Sequence, residues 1–447
     1  MPTTIRHHYN HRLLLPRRLS PFPQLPTSPY HPPHLSFPSK LNILCCLSIH
    51  HPNPNQTSTS TTATDTTHLR VVFAAGGTGG HIIPAVAIAD ELRSSNPNTQ
   101  ILFIGSPNSM ESTAIPSAGY NFSPLPPFNL HRPLFSLQNL SLPFHLLQSI
   151  IHTFKLLQQF KPDIVIGTGG YVSFPTCVAA LLARIKLVVQ EQSSVPGIAN
   201  SVLSGFSEVV FVAYNSTVEC FSKKCKCVVS GNPIRLSLRQ FVSKAVARKE
   251  FFPMSGGKQG KKVILVLGGS YGANTINVAL LYIYNKMLVQ HKNWFIIWQT
   301  GVEAYNEMES VVRIHPHLVL TPFLHSMDLA YAAADLVVSR AGAMTCSEIL
   351  ATGKPAILIP SPNTEEGHQV RNASLLADVA GSRIIIEDEL DSTTLETTIE
   401  EILGDEILMA DMSERAIKAA KPDASAEIVR HILSLVETSK AKNSNFS

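Results

Sequence analysis

One short stretch limits what this chain can fold into: the apolar run at residues 69–75 ends abruptly in the glycine-rich sequence GGTGGH at residues 76–81. The run predicts a buried strand, and apolar residues at helical spacing over residues 85–92 predict a helix directly behind the glycines. Pro84 is expected in the first turn of that helix, where its missing N–H is no loss. Because glycines let backbone N–H groups approach a ligand and a helix N-terminus favours negative charge, the stretch predicts a seat for a phosphate or diphosphate.

Dinucleotide binding and a nucleotide phosphate loop both fit the glycines poorly. The dinucleotide fingerprint has a third glycine where this chain has Ile82, and an acidic residue after the next strand, where this chain continues with Gly105. The Walker loop is absent, because the Gly353-Lys354 step is followed by Pro355. A turn that serves packing alone stays an alternative, although four glycines exceed the needs of one tight turn.

The same pattern of apolar strand, glycine turn and helix recurs along the chain. It returns at residues 163–171, 228–235 and 263–273, with a polar connector at residues 236–261. Since 447 residues exceed one ordinary core, two α/β domains are expected. In parallel sheets these turns share the carboxyl edge, and two such edges facing each other form a cleft suited to ligands.

The N-terminal segment differs in composition from the rest. No Asp or Glu occurs before Asp65, and five of the 36 Lys and Arg residues lie there, so the remainder carries 31 basic against 32 acidic residues. That near-neutral remainder does not indicate a nucleic-acid surface. The acid-free segment is rich in Pro, His, Ser and Thr, which predicts a transit peptide at residues 1–68 and a plastid location, with a mitochondrial address or a disordered cytosolic tail as alternatives.

The cysteines and the apolar segments indicate neither a metal site nor a membrane span. Cys220, Cys225 and Cys227 lie close together, but their spacing does not match a zinc site and no fourth ligand is near, so free thiols and no metal are expected. No apolar run reaches the length of a membrane span. A mostly apolar helical region at residues 134–160, interrupted by Pro143, predicts a core helix whose edges could lie on an anionic membrane.

Taken together, these motifs resemble the MurG family, which transfers N-acetylglucosamine from UDP-N-acetylglucosamine to the lipid-linked muramoyl-pentapeptide precursor of peptidoglycan. The family's marks occur in order at residues 76–81, 169–171, 191–192, 231–235, 268–270, 339–343 and 369–373. The resemblance covers residues 71–436 and implies the GT-B architecture, an α/β fold of two Rossmann-like domains that face a cleft.

The domains, partners and location follow from that resemblance as expectations. They are an acceptor domain at residues 69–235, a UDP-sugar domain at residues 236–423, and a last helix and tail at residues 424–447 that returns to the first domain. The resemblance implies UDP-N-acetylglucosamine and a polyprenyl-diphosphate-linked acceptor as partners. It implies no cofactor and no nucleic acid. Peripheral contact with a membrane is expected, and in a plastid this would be the inner envelope.

The expected reaction is a single inverting displacement. His81 is the candidate general base, because it ends the glycine turn and a histidine ordinarily titrates near working pH; a capping or ligand-binding role is the alternative. Glu191 is the second candidate or an orienting partner. Since no Asp-x-Asp motif is evident, helix N-termini and Arg235 are expected to stabilise the departing UDP.

The remaining site residues are carried over from the family by position. The acceptor diphosphate is expected against Gly76, Gly77, Gly169, Gly170 and Tyr171. The donor is expected to contact Thr78, Gly79, Gly80, Ser193, Arg235, Ser270, Phe323, Leu324, Ala343, Met344, Thr345, Cys346, Ser347, Glu348 and Gln369. Among these, Phe323 and Leu324 are assigned to the uracil and Glu348 to the ribose.

The chain departs from the usual family pattern at four positions. Gln190 and Ser193 stand where His and Asn are usual, and Tyr271 and Asn274 stand where Gln and Arg are usual. Two rival functions therefore stay open: a GT-B enzyme that uses another UDP-sugar or acceptor, and a catalytically silent plastid scaffold. The intact His81 favours activity.

Overall fold

Two parallel sheets, each flanked by helices, organise the chain. The structure is a computed structural model that describes residues 68–127, 137–254, 260–269, 272–362, 364 and 367–444. Residues 1–67 of the predicted transit segment lie outside these ranges, as do Ser270, Tyr271 and the start of the predicted long helix at residues 134–136.

The first sheet has seven strands. They are β1 Arg70–Ala74, β2 Gln100–Gly105, β3 Asn121–Pro124, β4 Ile164–Gly167, β5 Lys186–Glu191, β6 Val209–Val212 and β7 Cys227–Val229. Their order is β3-β2-β1-β4-β5-β6-β7, and all neighbours are parallel. The helices of this half are α1 Gly79–Ser95, α2 Met110–Ser117, α3 Leu142–Phe160, α4 Ser173–Leu182, α5 Ile198–Ser204 and α6 Asn215–Val218.

The second sheet has six described strands. They are β8 Lys262–Leu267, β9 Trp294–Gln299, β10 Leu318–Thr321, β11 Leu336–Ser339, β12 Ala356–Leu358 and β13 Arg383–Ile384, in the parallel order β10-β9-β8-β11-β12-β13. Its helices are α7 Lys244–Phe251, α8 Asn274–Gln290, α9 Tyr305–Val311, α10 Met327–Ala333, α11 Ala343–Thr352, α12 His368–Ala380, α13 Ser392–Gly404 and α14 Glu406–Ala419. The prediction of two α/β halves is confirmed.

The glycine turns lie where the strand order reverses. In the first sheet the reversal is between β1 and β4, and in the second between β8 and β11. Ligands of open parallel sheets bind outside the carboxyl ends of the strands at this point. The fold therefore brings the first two glycine turns of the sequence to one edge.

The last helix, α15 Ala424–Ser444, packs against the first half of the chain. Its apolar residues Ile428, Val429 and Ile432 belong to the same buried cluster as strand β1 and helix α1. Lys186 Nζ also donates a hydrogen bond of 2.6 Å to the Leu435 carbonyl. The chain thus crosses between the two halves twice, once before α7 and once before α15.

The structure differs from the expected elements in several places. Pro84 is the sixth residue of α1, in the second turn, because the helix already begins at Gly79. Pro143 does not interrupt a helix but lies at the start of α3, where proline is favoured. The short edge strands β3 and β13 were not predicted. In the described part of the chain, no helix combines the length and the apolar character needed to cross a bilayer.

Candidate active site

The turns after β1 and β4 pack directly against each other. Gly77, Gly169 and Gly170 have φ angles of 89°, 98° and 82°, a region that favours glycine. A Cβ on Gly170 would overlap the Gly76 carbonyl oxygen. Glycine is therefore required here by both backbone angle and close approach, so part of the glycine content serves packing between the two turns.

His81 lies between these turns, as the third residue of α1. Its Nδ1 is 3.0 Å from Thr78 Oγ1, and its ring is so close to Gly169 that a Cβ there would lie 2.9 Å from His81 Cδ2. Burial lowers the pKa of His81 to about 4, although a hydrogen bond with the Gly76 backbone opposes the shift. The imidazole is therefore neutral at neutral pH and can accept a proton, but burial makes it a weaker base than an ordinary histidine. The expectation that His81 titrates near working pH does not hold in this structure.

Glu191 ends β5 and is only 2% exposed. Its carboxylate accepts hydrogen bonds from the Ser193 N–H at 2.9 Å, the Gly197 N–H at 3.0 Å and Asn200 Nδ2 at 2.8 Å. Burial raises the pKa of Glu191, and these hydrogen bonds act in the opposite direction. Because both oxygens are engaged, the geometry favours an orienting role, in which Glu191 shapes the loop at residues 192–197.

Arg235 and Glu348 form an ion pair between the end of the first half and helix α11 of the second half. Arg235 Nη1 lies 2.7 Å from Glu348 Oε1, and the Tyr331 hydroxyl donates to Glu348 Oε2 at 3.2 Å. Burial raises the pKa of Glu348, while Arg235 and the Tyr331 hydroxyl lower it. The two groups that the resemblance assigns to the donor therefore contact each other through one nitrogen and one oxygen. The guanidinium has further N–H donors beyond this contact.

Two buried asparagines join the carboxyl edges of the two sheets. Asn232 Nδ2 donates to Ser347 Oγ at 3.0 Å and to the Gln192 carbonyl at 2.9 Å. Asn372 Oδ1 accepts from the Ser194 N–H at 3.3 Å. Sequence reasoning did not assign either asparagine to the site. The available signal was that both lie within family motifs, at residues 231–235 and 369–373.

The unusual residue Gln190 contributes to the same junction. It is fully buried, and its Nε2 donates to Asn232 Oδ1 at 3.2 Å. Ser193 is the second residue of this loop that differs from the family pattern. Its N–H donates to the Glu191 carboxylate, and its carbonyl accepts a hydrogen bond of 3.2 Å from Thr217 Oγ1. Gln190 thus has a defined hydrogen-bonding role in this chain.

Helix α11 presents its N-terminus at the second sheet's carboxyl edge. Gly342 caps it, and Ala343 is its first residue. The Cys346 side chain is fully buried in an apolar cluster, and Met344 is also buried. The Cys346 N–H already donates to the Gly342 carbonyl at 2.9 Å, so neither its side chain nor its N–H is offered to a donor. Met344 can reach a donor only through its backbone, whereas the half-buried Thr345 can also offer its hydroxyl. The N–H groups of a first helical turn suit a diphosphate.

The remaining predicted donor contacts of the second half lie on the loop after β10, at the start of α12 and after β8. Leu324 is buried in an apolar cluster, whereas Phe323 is half-buried beside the ring of His325. Gln369 Oε1 accepts a hydrogen bond of 2.9 Å from the Ser361 N–H. Ser270 lies outside the described residues. In the first half, Tyr171 is 38% exposed at the second glycine turn.

Potential metal ligands are not grouped in the described ranges. There, no cluster of three or more His, Cys, Asp or Glu side chains has a geometry that could hold an ion. Cys225 Sγ and Cys227 Sγ lie 3.9 Å apart, and both side chains are free thiols.

Both halves of the chain match models of protein families. Residues 71–212 match the glycosyltransferase family 28 N-terminal domain, and residues 263–428 match the glycosyltransferase family 28 C-terminal domain. Together the two models span well over half of the chain.

Two proteins with similar sequences share the same name. A protein of Flavobacterium psychrophilum, named UDP-N-acetylglucosamine--N-acetylmuramyl-(pentapeptide) pyrophosphoryl-undecaprenol N-acetylglucosamine transferase, is 41% identical over 372 residues, which is 83% of this chain and 99% of that protein. A protein of Salinibacter ruber with the same name is 38% identical and covers 82% of this chain and 97% of its own length.

Solved structures agree with the fold. The crystal structure of MurG from Acinetobacter baumannii is 27% identical and has a TM-score of 0.63, covering 82% of this chain and 99% of its own. A UDP-N-acetylglucosamine 2-epimerase structure is 13% identical, with a TM-score of 0.58 over 83% of this chain and 97% of its own. At that identity the second likeness concerns the fold alone.

Proposed function

Because the chain belongs to glycosyltransferase family 28, we propose that it transfers N-acetylglucosamine from UDP-N-acetylglucosamine to a lipid-linked muramoyl-pentapeptide acceptor, giving lipid II. The observation that carries this proposal is the 41% identity to a transferase of that name over 99% of its length. The site geometry supports it, because glycine turns of the first half and the α11 N-terminus of the second half lie at facing sheet edges.

The proposed chemistry is one displacement with inversion at the anomeric carbon. His81 takes the proton of the acceptor hydroxyl while that oxygen attacks, and the bond from the anomeric carbon to the UDP oxygen breaks. The N–H groups at the start of α11 and the Arg235 guanidinium stabilise the charge that develops on the diphosphate. Arg235 becomes available for this when its pair with Glu348 opens.

The direct test is transfer of labelled N-acetylglucosamine to a lipid-linked muramoyl-pentapeptide by the purified protein. We expect lipid-linked disaccharide and free UDP in equal amounts. A panel of UDP-sugars tests the rival GT-B enzyme, since release of UDP from another sugar only would refute the proposed donor. No UDP release and no thermal shift with UDP-N-acetylglucosamine would favour the silent scaffold.

An exposed apolar face of the first half is compatible with a lipid-linked acceptor. Leu140, Phe144, Leu147 and Ile151 are between 49% and 84% exposed and follow each other at helical spacing from just before the start of α3. The core side of α3 is formed by residues such as Leu157, so the apolar residues of the predicted core helix divide between a buried face and an exposed one. We propose that the exposed face lies on an anionic membrane.

Vesicle co-sedimentation tests this contact. The double variant F144E/L147E should lose binding to vesicles that contain phosphatidylglycerol, since two charges would enter the apolar boundary. The matched control is Ile407→Glu, because Ile407 is 83% exposed on α14 of the other half. Equal binding by all three proteins would refute the assignment.

We also propose a plastid location, which is supported by the acid-free segment rich in Pro, His, Ser and Thr. A fluorescent fusion of residues 1–68 should enter chloroplasts, and a fusion that lacks them should not. Import into mitochondria instead would overturn the proposal.

A further inference from the structure

A buried carboxylate lies beneath the first glycine turn. Glu111, in the first turn of α2, is fully buried. Its Oε2 accepts a hydrogen bond from the Gly77 N–H at 3.3 Å, and its Oε1 accepts one from the Ser106 N–H at 3.1 Å. Since these N–H groups belong to the loops after β1 and β2, one carboxylate ties together two loops at the carboxyl edge of the first sheet.

The space for this carboxylate is made by two glycines. A Cβ on Gly76 would overlap Glu111 Oε1, and a Cβ on Gly105 would lie 2.8 Å from Glu111 Cγ. Gly76 is not among the residues with positive φ, unlike its neighbour Gly77. Its lack of a side chain therefore serves the fit to Glu111 and not a backbone angle.

The carboxylate is stabilised by backbone dipoles. Glu111 belongs to the first turn of α2, where a negative charge interacts favourably with the helix, and it receives two N–H groups in addition. The Gly77 N–H is thereby directed at Glu111 and not at the cleft. A diphosphate at this turn is left with the N–H groups at residues 78–80, where α1 begins.

We propose that Glu111 is a positioning residue for the transfer reaction. Its carboxylate holds the turn at Gly76 and Gly77 in the one arrangement that presents the start of α1 and the imidazole of His81 to the substrates. This inference rests on the proposed function. It adds a residue that touches no substrate and acts through the turn.

The first test is the substitution Glu111→Gln, which keeps the shape but places an amide N–H₂ against a backbone N–H. The turn should shift, and kcat should fall about 10- to 100-fold, as expected for a misplacement near 1 Å. The affinity for UDP, measured by calorimetry, should stay within about twofold, because the residues assigned to the uracil and the ribose lie in the second half.

The matched control is Asp163→Asn. Asp163 Oδ2 accepts a hydrogen bond of 2.8 Å from the Arg70 N–H, at the opposite end of β1. The contact is of the same kind and on the same strand but far from the turn, so kcat should be unchanged after correction for the folded fraction. Equal losses of kcat in both variants would reduce Glu111 to a stabilising residue and overturn the proposal.

A double-variant cycle tests whether Glu111 acts through the turn. Gly76→Ala displaces the same carboxylate. The double variant Gly76→Ala/Glu111→Gln should therefore lose much less kcat than the product of the two single losses. If the loss of kcat in the double variant equals the product of the two single losses, the positioning role is refuted. It is also refuted if Glu111→Gln folds and keeps kcat within about twofold of wild type. Absence of transfer by the wild type would instead refute the proposed function.

Discussion

The substitution His81→Ala removes the imidazole that lies between the two glycine turns. If His81 is the general base, kcat should fall about 10²- to 10⁴-fold, with a smaller change in KM. His291→Ala is the matched control, because His291 follows α8 at the opposite edge of the second sheet, where its Nε2 pairs with Glu400. That variant should keep the wild-type rate.

The pH dependence follows from the burial of the same ring. Burial lowers the pKa of His81 to about 4, so the free enzyme keeps a neutral imidazole through the neutral range and kcat/KM should show no loss near pH 6.5 from this residue. In the unfolded chain the pKa of a histidine is about 6.5. In the folded protein the pKa of His81 is about 4, so His81 stays unprotonated between these two pH values. The free energy of unfolding therefore decreases as the pH falls from about 6.5 to about 4, by at most about 3 kcal/mol from this group.

Two measurements check this reasoning. Transfer rates from pH 5 to pH 8 give kcat/KM, and urea unfolding at both ends of that range gives the change in stability. The variant His81→Ala should lose less stability on acidification than the wild type, because the unfavourable proton linkage is gone. A loss confined to KM would remove His81 from the role of base, and an acid limb near pH 6.5 that disappears in the variant would refute the burial argument.

Three further substitutions follow from contacts in the site. Gly170→Ala should lower the free energy of unfolding by about 2 kcal/mol or more, measured by urea unfolding, because its φ is 82° and its Cβ would overlap the Gly76 carbonyl. Glu348→Gln should cost about 1 to 3 kcal/mol in the same assay, since Arg235 loses its charged partner; no change would show that the pair contributes nothing. Glu191→Ala leaves three N–H donors without their acceptor, so calorimetry should show weaker donor binding as the loop loosens, and unaltered binding and kcat would contradict its orienting role.

The strands that carry the glycine turns could be predicted because their signal is local. A parallel strand buried on both faces is a continuous apolar run, as in β1, β4 and β8, and the glycines that follow mark its end. The edge strands β3 and β13 carry no such signal, because they are short and none of their residues is buried.

Polar residues with distant partners could not be predicted in this way. Glu111 is 34 positions from Gly77, and Ser194 is 178 positions from Asn372. No periodicity distinguishes such a buried polar residue from a solvated one. The interpretation of Arg235 and Glu348 as donor contacts likewise gave no indication that they form an ion pair with each other.

The sequence by itself determined the two α/β halves, the glycine turns and the resemblance to one transferase family, because apolar periodicity and glycine placement act over a few neighbouring residues. Only the tertiary structure decided which groups are already engaged: Glu111 with the first turn, Glu191 with its own loop, and Arg235 with Glu348. These contacts depend on burial and on hydrogen bonds, and both are set by how the strands and helices of the whole chain pack together.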